Sequence, residues 1–527
     1  MRTVGERLVE GLRDRGVSVV FGIPGVHTVE LYRGLAGSGI RHVTARHEQG
    51  CAFMADGYAR VSGQPGVAFV ITGPGLTNAL TAMAQSRADS VPVLIISGVN
   101  RRDSLGRGLG MLHELPDQAA MVRALCPTRQ IGAPAEVGPT LDWAFDLLRR
   151  ARPGPVHIEV PTDVMPLPCP ELPRPAALPT RALPPEVDIR AAAKRLNAAR
   201  RVVLLAGGGC RGQEAGLRAL AERLDAPVVQ TVNARGMLYG HPLCLPASPS
   251  LDAVRVALTS ADQVLAIGTE FGPTEFDMYG TGKVPELPGQ IRIDIDGDQL
   301  ARRPCALRLR GDAGATMAEL LPLITQHNAD GAARAAAFAA EARAEMQSLS
   351  PAYPMMLAMV EGIRNSLPRA ILVGDSTQPI YAANLFYGHD RPGGYFNAAT
   401  GYGALGFAPG AAVGAALAAP GSRVVCLIGD GGLQFSPGEL RTAVDERLSI
   451  TFLVWNNAAF AEIADAMRQA RTEVIGCHPS PLRLEPFAAA CDLPFTSIPL
   501  DVEVLHWALT QPNDGPRLIE IRVRDGA

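Results

Sequence analysis

The stretch Val424-Val425-Cys426-Leu427-Ile428-Gly429-Asp430-Gly431-Gly432 ends an apolar run with an acidic residue among glycines. The next apolar run, Ile450-Thr451-Phe452-Leu453-Val454-Trp455-Asn456-Asn457, ends with two amides. Such runs are typical of buried parallel strands, whose carboxyl ends carry ligand groups. Glycine lets the backbone approach a phosphate, and the start of a following helix offers free N–H groups. Asp430 and Asn457 add the oxygen ligands that Mg²⁺ prefers, so the stretch predicts a diphosphate and magnesium site.

Composition limits the class of protein. The 527 residues exceed what one hydrophobic core holds, and the 47% hydrophobic and 19% charged residues are typical of a soluble globular protein. A net charge of −3 gives no reason to expect a nucleic acid partner. The nine cysteines form no C-x-x-C pair, which favours reduced thiols. We see no signal-peptide pattern and no apolar run of about 18 residues, so we expect a cytoplasmic protein without a membrane partner.

Strand-like apolar runs alternate with helix-like segments along the whole chain. This alternation predicts parallel sheets covered by helices on both faces, which is an α/β fold. The predicted strands are Val17–Phe21, His42–Thr44, Val67–Ile71, Val93–Ile96, Val156–Val160, Val202–Ala206, Val228–Val229, Val264–Gly268, Ile291–Ile295, Ile371–Val373, Val424–Ile428, Ile450–Trp455 and Leu518–Val523.

Two stretches of unusual composition divide the chain into three domains, each with a mostly parallel sheet flanked by helices. One is rich in proline between Met165 and Pro185, and the other is rich in alanine and begins near residue 328. The predicted boundaries are 1–164, a linker at 165–187, 188–327, a helical linker at 328–352, and 353–527.

The Gly-Asp-Gly and Asn-Asn spacing resembles the diphosphate motif of thiamine diphosphate enzymes, and the three α/β units resemble their decarboxylase and acetolactate synthase branches. The resemblance covers essentially the whole chain. It implies a first domain that binds the pyrimidine ring, a third that binds the diphosphate, and Asp430, Asn457 and the Ala459 carbonyl as Mg²⁺ ligands. The ordinary alternative for Asp430 is a buried cap in a strand-turn-helix.

Glu48 is the candidate activating carboxylate. Thiamine chemistry requires a buried carboxyl group with an adjusted pKa that bonds the pyrimidine N1′ and drives the 4′-amino group to its imino tautomer. The run Arg46-His47-Glu48-Gln49-Gly50 and the following Met54-Ala55-Asp56-Gly57-Tyr58-Ala59-Arg60 resemble the family's pyrimidine-domain motif. The alternative for Glu48 is a carboxylate that complements a helix dipole.

Other cofactor contacts follow from the resemblance alone. In Thr400-Gly401-Tyr402-Gly403-Ala404-Leu405-Gly406, Leu405 would support the bent cofactor and the Gly403 carbonyl would accept from its 4′-amino group. The remaining implied contacts are Gly25, Gly73, Asn78, Thr377, Gln378, Gly429, Gly431, Gly432 and Phe460.

Several stretches resemble the branch of 2-ketoarginine (5-guanidino-2-oxopentanoate) decarboxylases, which form 4-guanidinobutanal and CO₂. They are Phe21–Leu35, Leu112–Gln118 and Trp455–Asn457. A guanidinium substrate needs a carboxylate partner, and Glu462 is the first candidate, although it departs from the neutral residue of the branch. Glu114 and Asp117 are second candidates. His113, with His27 as a weaker candidate, could transfer a proton or orient the substrate carboxylate.

Alternative functions remain open at this stage. The chain could be a carboligase of the acetolactate synthase type, or a relative that binds ligands without catalysis, although such relatives typically lack the carboxylate at Glu48. A dinucleotide oxidoreductase that uses Gly207–Gly209 is a third alternative, but a tight strand-helix turn explains these glycines better. FAD is not expected, although the sequence does not exclude it.

The resemblance also implies how the chain assembles and what it binds. We expect a small 2-oxo acid substrate and a homodimer or homotetramer. Glu48 of one subunit and Asp430 of its partner would then complete each active site at the interface.

Overall fold

A computed structural model describes residues 1–175, 182–278, 280–287 and 289–523 of the chain. Three six-stranded parallel sheets flanked by helices follow one another along the sequence, which confirms the predicted α/β fold. Residues 176–181 of the predicted proline-rich linker and residues 524–527 of the third predicted domain lie outside the described residues. Among the described residues, no helix is both long enough and apolar enough to cross a membrane.

The first sheet has the strand order β2-β1-β3-β4-β6-β5. Its strands are β1 (Val19–Gly22), β2 (Arg41–Thr44), β3 (Gly66–Val70), β4 (Val93–Val99), β5 (Thr128–Gln130) and β6 (Pro155–Pro161). Its helices are α1 (Val4–Asp14), α2 (Val29–Leu35), α3 (Glu48–Ser62), α4 (Pro74–Ala88), α5 (Gln118–Arg123) and α6 (Val137–Arg150).

The central sheet has the order β12-β11-β10-β7-β8-β9. Its strands are β7 (Val202–Ala206), β8 (Val228–Gln230), β9 (Cys244–Leu245), β10 (Gln263–Ile267), β11 (Ile291–Asp294) and β12 (Leu307–Arg310). Its helices are α7 (Glu186–Ala198), α8 (Glu214–Leu224), α9 (Asp252–Thr259), α10 (Pro273–Phe276), α11 (Gly297–Ala301) and α12 (Ala313–Leu320), and the long α13 (Gly331–Leu349) follows.

The third sheet has the order β14-β13-β15-β16-β18-β17. Its strands are β13 (Ile371–Gly374), β14 (Tyr395–Asn397), β15 (Val424–Gly429), β16 (Ile450–Asn456), β17 (Phe495–Pro499) and β18 (Arg517–Arg522). The helices are α14 (Tyr353–Ser366), α15 (Gln378–Leu385), α16 (Phe407–Ala418), α17 (Asp430–Leu433), α18 (Glu439–Asp445), α19 (Ala461–Gln469), α20 (Leu484–Ala490) and α21 (Val502–Thr510).

The sequence patterns indicated the inner strands of each sheet and the edge strand β2, and they missed five short strands. These five, β5, β9, β12, β14 and β17, all lie at sheet edges. Most of them are partly exposed, as in the four residues of β12, of which one is buried. An edge strand needs no continuous apolar run, so composition gives little sign of it.

The chain divides into two compact units that do not follow the order of the sheets. The described residues of Met1–Pro179, Tyr402–Ser497 and Pro512–Arg522 form the first unit. Those of Thr180–Gly401, Ile498–Gln511 and Val523–Ala527 form the second. The first unit therefore holds the whole first sheet together with β15, β16 and β18.

Helices α3 and α16 of the first unit pack closely because two glycines allow their backbones to meet. A Cβ atom at Gly57 would lie 2.0 Å from the carbonyl oxygen of Ala411, and one at Gly414 would lie 1.9 Å from that of Met54. No side chain fits at such distances. This contact fixes the helix that begins at Glu48 against the helix that follows Leu405.

Candidate active site

Glu48 begins α3 at the carboxyl edge of the first sheet. The side chain of His47 caps the helix and accepts from the N–H of Gln49. The Asn78 amide Nδ2 donates to Glu48 Oε2 over 3.0 Å, and a Cβ atom at Gly75 would lie 3.5 Å from Glu48 Oε1. The structure therefore brings the predicted residues Glu48 and Asn78 together. In the single chain Glu48 is partly exposed, whereas the sequence analysis expected a buried carboxyl group.

Glu439, which the sequence analysis missed, holds the turn before Glu48. Its carboxylate accepts from the backbone N–H groups of Arg46 at 3.2 Å and His47 at 3.1 Å, and from the Thr442 hydroxyl at 2.8 Å. Burial raises the pKa of the Glu439 carboxyl, and these donors oppose the rise. An acidic residue in the first turn of a helix is common, so the sequence carried no sign of this role.

His27 and His113 form a pair beside this group. Their ring centroids lie 5.2 Å apart, and the Nδ1 atom of each ring is buried without a hydrogen-bond partner among the described residues. Burial lowers the pKa of His27, and the neighbouring His113 lowers it further. Unsatisfied buried nitrogens carry a free-energy cost, which a bound ligand would relieve.

The loop that carries His113 is tightly packed. His113 adopts a left-handed backbone with φ of 60°, and a Cβ atom at Gly73 would lie 2.6 Å from the His113 carbonyl oxygen. A residue other than glycine in this region costs about 1–2 kcal/mol, and such strain concentrates at functional sites.

Gln118 holds Gly73 in place through a hydrogen bond, a role that the sequence analysis also missed. Its Oε1 accepts from the Thr72 hydroxyl at 2.8 Å and from the Gly73 N–H at 3.1 Å. Its Nε2 donates to Glu159 Oε2 over 3.1 Å. The Gln118 side chain is buried, and both polar atoms of its amide have hydrogen-bond partners. Gln118 therefore holds the turn that faces His113 in place.

The second candidates for a guanidinium partner both have structural roles. Glu114 accepts from the backbone N–H groups of Leu109 and Met111, which keep the pKa of its carboxyl low. Asp117 caps α5 through the N–H of Ala120. These bonds account for both carboxylates without a substrate.

The predicted diphosphate loop forms a second group at the ends of β15 and β16. Asp430 is buried at the start of α17, and burial raises the pKa of its carboxyl, although the backbone N–H of Asn457 bonds to it and opposes the rise. Asn457 Oδ1 accepts from the Ala459 N–H at 3.1 Å. The structure therefore brings Asp430, Asn457 and Ala459 together as predicted.

Close packing and strain also mark this second group. A Cβ atom at Gly431 would lie 2.6 Å from the ring of Phe460, and Ala458 adopts a positive φ of 54°. Glu462 lies in the first turn of α19 with a partly exposed side chain. That position suits the helix dipole as well as a substrate contact.

A magnesium ion fits the chemistry of this group. No cluster of three or more His, Cys, Asp or Glu side chains suited to a metal occurs among the described residues. A cation here would therefore depend on one carboxylate with amide and backbone oxygens, which is the hard-oxygen set that Mg²⁺ accepts together with phosphate. Asp430 is buried and forms no ion pair with any residue that the structure describes, which favours a bound cation.

The remaining predicted contacts have diverse surroundings. Gly403 and Gly406 have positive φ values of 76° and 77°, and Leu405 between them is partly exposed. Gly25 lies against Ile71, whose Cγ2 would be 2.3 Å from an added Cβ atom. In the second unit, buried Thr377 precedes α15 and Gln378 begins it.

The glycines of the central domain have a packing role. The N–H groups of Gly207 and Gly209 donate to the carbonyl oxygens of Ile267 and Gly268, and a Cβ atom at Gly207 would lie 2.2 Å from Gly268 O. Both N–H groups are used by the backbone, so they are not available to a dinucleotide phosphate.

Comparison with known proteins supports the sequence analysis. The N-terminal thiamine pyrophosphate-binding, central and C-terminal thiamine pyrophosphate-binding domain models of the thiamine pyrophosphate enzyme family match residues 2–121, 189–320 and 375–521. A crystal structure of a provisionally assigned thiamin diphosphate-dependent enzyme from Mycobacterium smegmatis superposes with a TM-score of 0.82 over 99% of both chains. At 22% identity, this likeness shows the fold alone.

Two curated relatives cover most of the chain. The protein named probable 2-ketoarginine decarboxylase AruI from Pseudomonas aeruginosa is 43% identical over 485 residues, which are 90% of this chain and 86% of that protein. The acetolactate synthase isozyme 1 large subunit of Escherichia coli is 30% identical over 545 residues, which are 99% of this chain and 94% of that protein. The chain therefore belongs to the thiamine pyrophosphate enzyme family and is a thiamine diphosphate-dependent enzyme.

Proposed function

We propose that this enzyme decarboxylates 5-guanidino-2-oxopentanoate to 4-guanidinobutanal and CO₂, with thiamine diphosphate and Mg²⁺. In this reaction the bond between the carboxylate and the 2-oxo carbon breaks, CO₂ leaves, and a proton takes its place. The 43% identity to a protein named 2-ketoarginine decarboxylase carries the substrate assignment.

When bound, thiamine diphosphate supplies an electron sink for the electrons that CO₂ leaves behind. Glu48 would hold a proton at N1′ of the pyrimidine ring, and Asn78 orients its carboxylate through the 3.0 Å hydrogen bond. Asp430, Asn457 and the Ala459 carbonyl would hold Mg²⁺, and the N–H groups at the start of α17 would meet the diphosphate.

The histidine pair would serve the proton steps. Burial and His113 lower the pKa of His27, which favours a neutral ring at neutral pH. A neutral ring can donate to the substrate carboxylate from one nitrogen and accept from the other. His113, with its unpartnered Nδ1, would deliver the proton that replaces CO₂.

Glu462 would pair with the substrate guanidinium. A guanidinium forms two parallel hydrogen bonds with a carboxylate, which gives specificity as well as affinity. Glu462 lies in the first turn of α19, five residues past Asn457, and this position beside the proposed magnesium site makes it the first candidate of the three.

We further propose that the enzyme is cytoplasmic and forms a homodimer or homotetramer, with Glu48 of one subunit facing the Asp430 group of its partner. The predicted domain boundaries remain part of the proposal. The occupied N–H groups of Gly207 and Gly209 support a central domain without FAD, and a colourless purified protein is the expected observation.

A carboligase that joins two 2-oxo acid units is the second candidate. It rests on relatives such as the Escherichia coli enzyme and the Mycobacterium bovis acetolactate synthase, which is 32% identical over 486 residues. The two functions differ only in whether a proton or a second carbonyl compound takes the place of CO₂.

The test is CO₂ release from three substrates with added thiamine diphosphate and Mg²⁺. They are 5-guanidino-2-oxopentanoate, the uncharged 2-oxohexanoate and pyruvate. We expect the guanidino acid to have the highest kcat/KM, with 4-guanidinobutanal as product. Preference for pyruvate with accumulation of acetolactate would overturn the decarboxylase assignment and favour the carboligase.

The role of Glu462 has its own control. Glu462→Gln should raise KM for the guanidino acid about tenfold, equivalent to about 1.4 kcal/mol, and leave 2-oxohexanoate unchanged. Asp465→Asn, on the same helix with an exposed side chain paired to Arg468, should change neither substrate. An equal effect of Glu462→Gln on both substrates would contradict the guanidinium contact.

A further inference from the structure

Gln85, on α4, reaches the turn that holds Leu405. Its side chain is fully buried, and its Oε1 accepts from the backbone N–H of Ala404 at 3.1 Å. Ala404 lies between Gly403 and Leu405, the two residues of this turn for which the family resemblance implies contacts with the cofactor. Both partners of this bond belong to the first compact unit.

The other end of the Gln85 amide is fixed as well. Its Nε2 donates to Asp89 Oδ2 over 2.7 Å. Asp89 is paired with Arg60 at 2.7 Å, and Arg60 is paired with Asp56 at 2.5 Å. Both amide atoms of Gln85 therefore have partners, and its orientation is set by a buried chain of charges.

The Arg60 guanidinium at the centre of this network is held in its charged form. Burial disfavours the charged guanidinium of Arg60, but the carboxylates of Asp56 and Asp89 outweigh this and raise its pKa. The guanidinium also lies over the ring of Phe407, with 5.5 Å between Cζ and the ring centroid. Phe407 begins α16 directly after the turn, so the same network holds the turn and the helix that follows it.

The far side of the turn is tied down separately. The Ser436 hydroxyl donates to the Gly406 carbonyl oxygen over 2.8 Å, and a Cβ atom at Gly406 would lie 2.7 Å from the Cβ of Phe435. The turn is thus held at Ala404 and at Gly406, and partly exposed Leu405 lies between these anchors.

We infer that Gln85 is a positioning residue for the cofactor, which sets the Gly403–Leu405 turn through the N–H of Ala404. The inference rests on the proposed function for the role of this turn, but the hydrogen bond itself is independent of it. Gln85 does not touch the reacting atoms, so its loss should weaken cofactor binding without removing any group that transfers a proton.

Gln85→Met tests the inference, because methionine keeps the length of the side chain and removes the acceptor. We expect the Ala404 amide of the apoprotein to exchange with solvent at least tenfold faster, measured by hydrogen exchange of peptides that span residues 400–406. Thiamine diphosphate, titrated in the presence of Mg²⁺, should bind about tenfold more weakly, which corresponds to about 1.4 kcal/mol.

Two further variants separate positioning from general stability. Gln85→Glu keeps an acceptor for Ala404, so it should keep the slow exchange although it places a second carboxylate beside Asp89. Gln64→Met, at an exposed position, should change neither exchange nor binding. Unchanged cofactor binding in Gln85→Met, or equal exchange in Gln85→Met and the wild type, would overturn the inference.

The wild type provides a measurement that needs no variant. If its Ala404 amide exchanges at the rate of an unprotected peptide, the hydrogen bond to Gln85 is absent and the inference fails. A wild type with a protected Ala404 that does not bind thiamine diphosphate would overturn the proposed function, and with it the role of the turn. The two failures are therefore distinguishable.

Discussion

The first and third sheets have the same strand order, yet the polar groups at their carboxyl edges differ in kind. Numbered within each sheet, both run 2-1-3-4-6-5, whereas the central sheet runs 6-5-4-1-2-3. At the edge of the first sheet lie ionisable side chains, Glu48, His27 and His113. At that of the third lie glycines, backbone N–H groups and the oxygens of Asp430 and Asn457. One topology therefore presents the residues proposed for proton transfer in one place and those proposed to bind the diphosphate and Mg²⁺ in the other.

The supports of the two edges are also alike. A glutamate on the sixth strand of each sheet fixes an amide beside the ligand loop. Glu159 accepts from Gln118, which holds Gly73, and Glu520 accepts from Asn456 at 2.6 Å, next to Asn457. Each edge also carries a non-glycine residue with positive φ, His113 or Ala458. The two edges thus share the same kind of supporting hydrogen bond and differ in the side chains that they present to a ligand.

The largest effect is expected if the two edges complete one site across a dimer. Glu48→Gln and Asp430→Asn should each lose at least 100-fold in kcat, because one removes the proposed acid-base carboxylate and the other a proposed Mg²⁺ ligand. A mixture of the two, dissociated and reassembled in equal amounts, should regain about a quarter of the wild-type rate. Half of the dimers would then be mixed, and each would hold one intact site.

A site within one chain gives a different result in the same experiment. Every mixed dimer would then hold two defective sites, and the mixture would stay inactive. The matched control is a mixture of Glu48→Gln with unaltered protein, which should show half of the wild-type rate in either case.

The packing of α3 on α16, which joins the first sheet to the third, gives the next prediction. Gly414→Ala should lower the free energy of unfolding by about 3 kcal/mol, because the new Cβ atom would meet Met54 O at 1.9 Å and the helices must separate. Gly138→Ala in α6 is the control, since the nearest atom would be Pro173 Cδ at an ordinary 3.6 Å. Denaturant unfolding measures both, and equal stabilities would show that the helices separate without cost.

Much of this comparison was predictable from the sequence, and the reasons are physical. The apolar runs that end at Asp430 and Asn457, and the Glu48 motif, are local patterns; the structure brings Asp430 to Asn457 and, separately, Glu48 to Asn78. A sequence motif can be recognised because its functional residues are close together in sequence.

The supporting residues were missed because each acts over a long sequence separation. Glu439 bonds the turn at Arg46, and Gln85 bonds Ala404. Nothing near Glu439 or Gln85 in the sequence distinguishes them from ordinary polar residues of a helix. The identical order of the first and third sheets was likewise hidden, because it depends on edge strands too short to leave a pattern.

Buried polar groups at the first edge predict a dependence of stability on pH. His157, on β6, bonds Ser97 Oγ at 2.8 Å, and burial lowers its pKa to about 3 from an ordinary 6.5. The folded protein disfavours protonation of His157. The contribution of neutral His157 to the unfolding free energy is therefore complete above pH 6.5 and is lost as the pH falls toward 3. The slope for one proton is about 1.4 kcal/mol per pH unit.

Between pH 6.5 and 4, the unfolding free energy of His157→Gln should therefore fall less steeply than that of the wild type, by about 1.4 kcal/mol per pH unit. Urea unfolding at several pH values measures both slopes. Glu159 titrates in the same network, and burial raises the pKa of its carboxyl, so its protonation opposes the loss in both proteins. Parallel stability curves for the variant and the wild type over this range would contradict the assignment to His157.

The smallest expected effect concerns Glu439, a buried carboxylate that links the two edges within a chain. Glu439, on α18 of the third domain, accepts from the N–H groups of Arg46 and His47, directly before Glu48. Glu439→Gln keeps the shape of the side chain and one acceptor oxygen, but it replaces the other oxygen with an NH₂ group that faces a hydrogen-bond donor. We expect a loss of about 1–2 kcal/mol in unfolding free energy. We also expect a several-fold rise in the apparent Kd for thiamine diphosphate, because the turn that places Glu48 loosens. Glu446→Gln is the control, because Glu446 directly follows α18 and pairs with exposed Arg41; it should lower stability by less than 0.5 kcal/mol and leave cofactor binding unchanged. If both variants bind the cofactor as the wild type does, Glu439 stabilises the fold only, and the two edges are positioned independently.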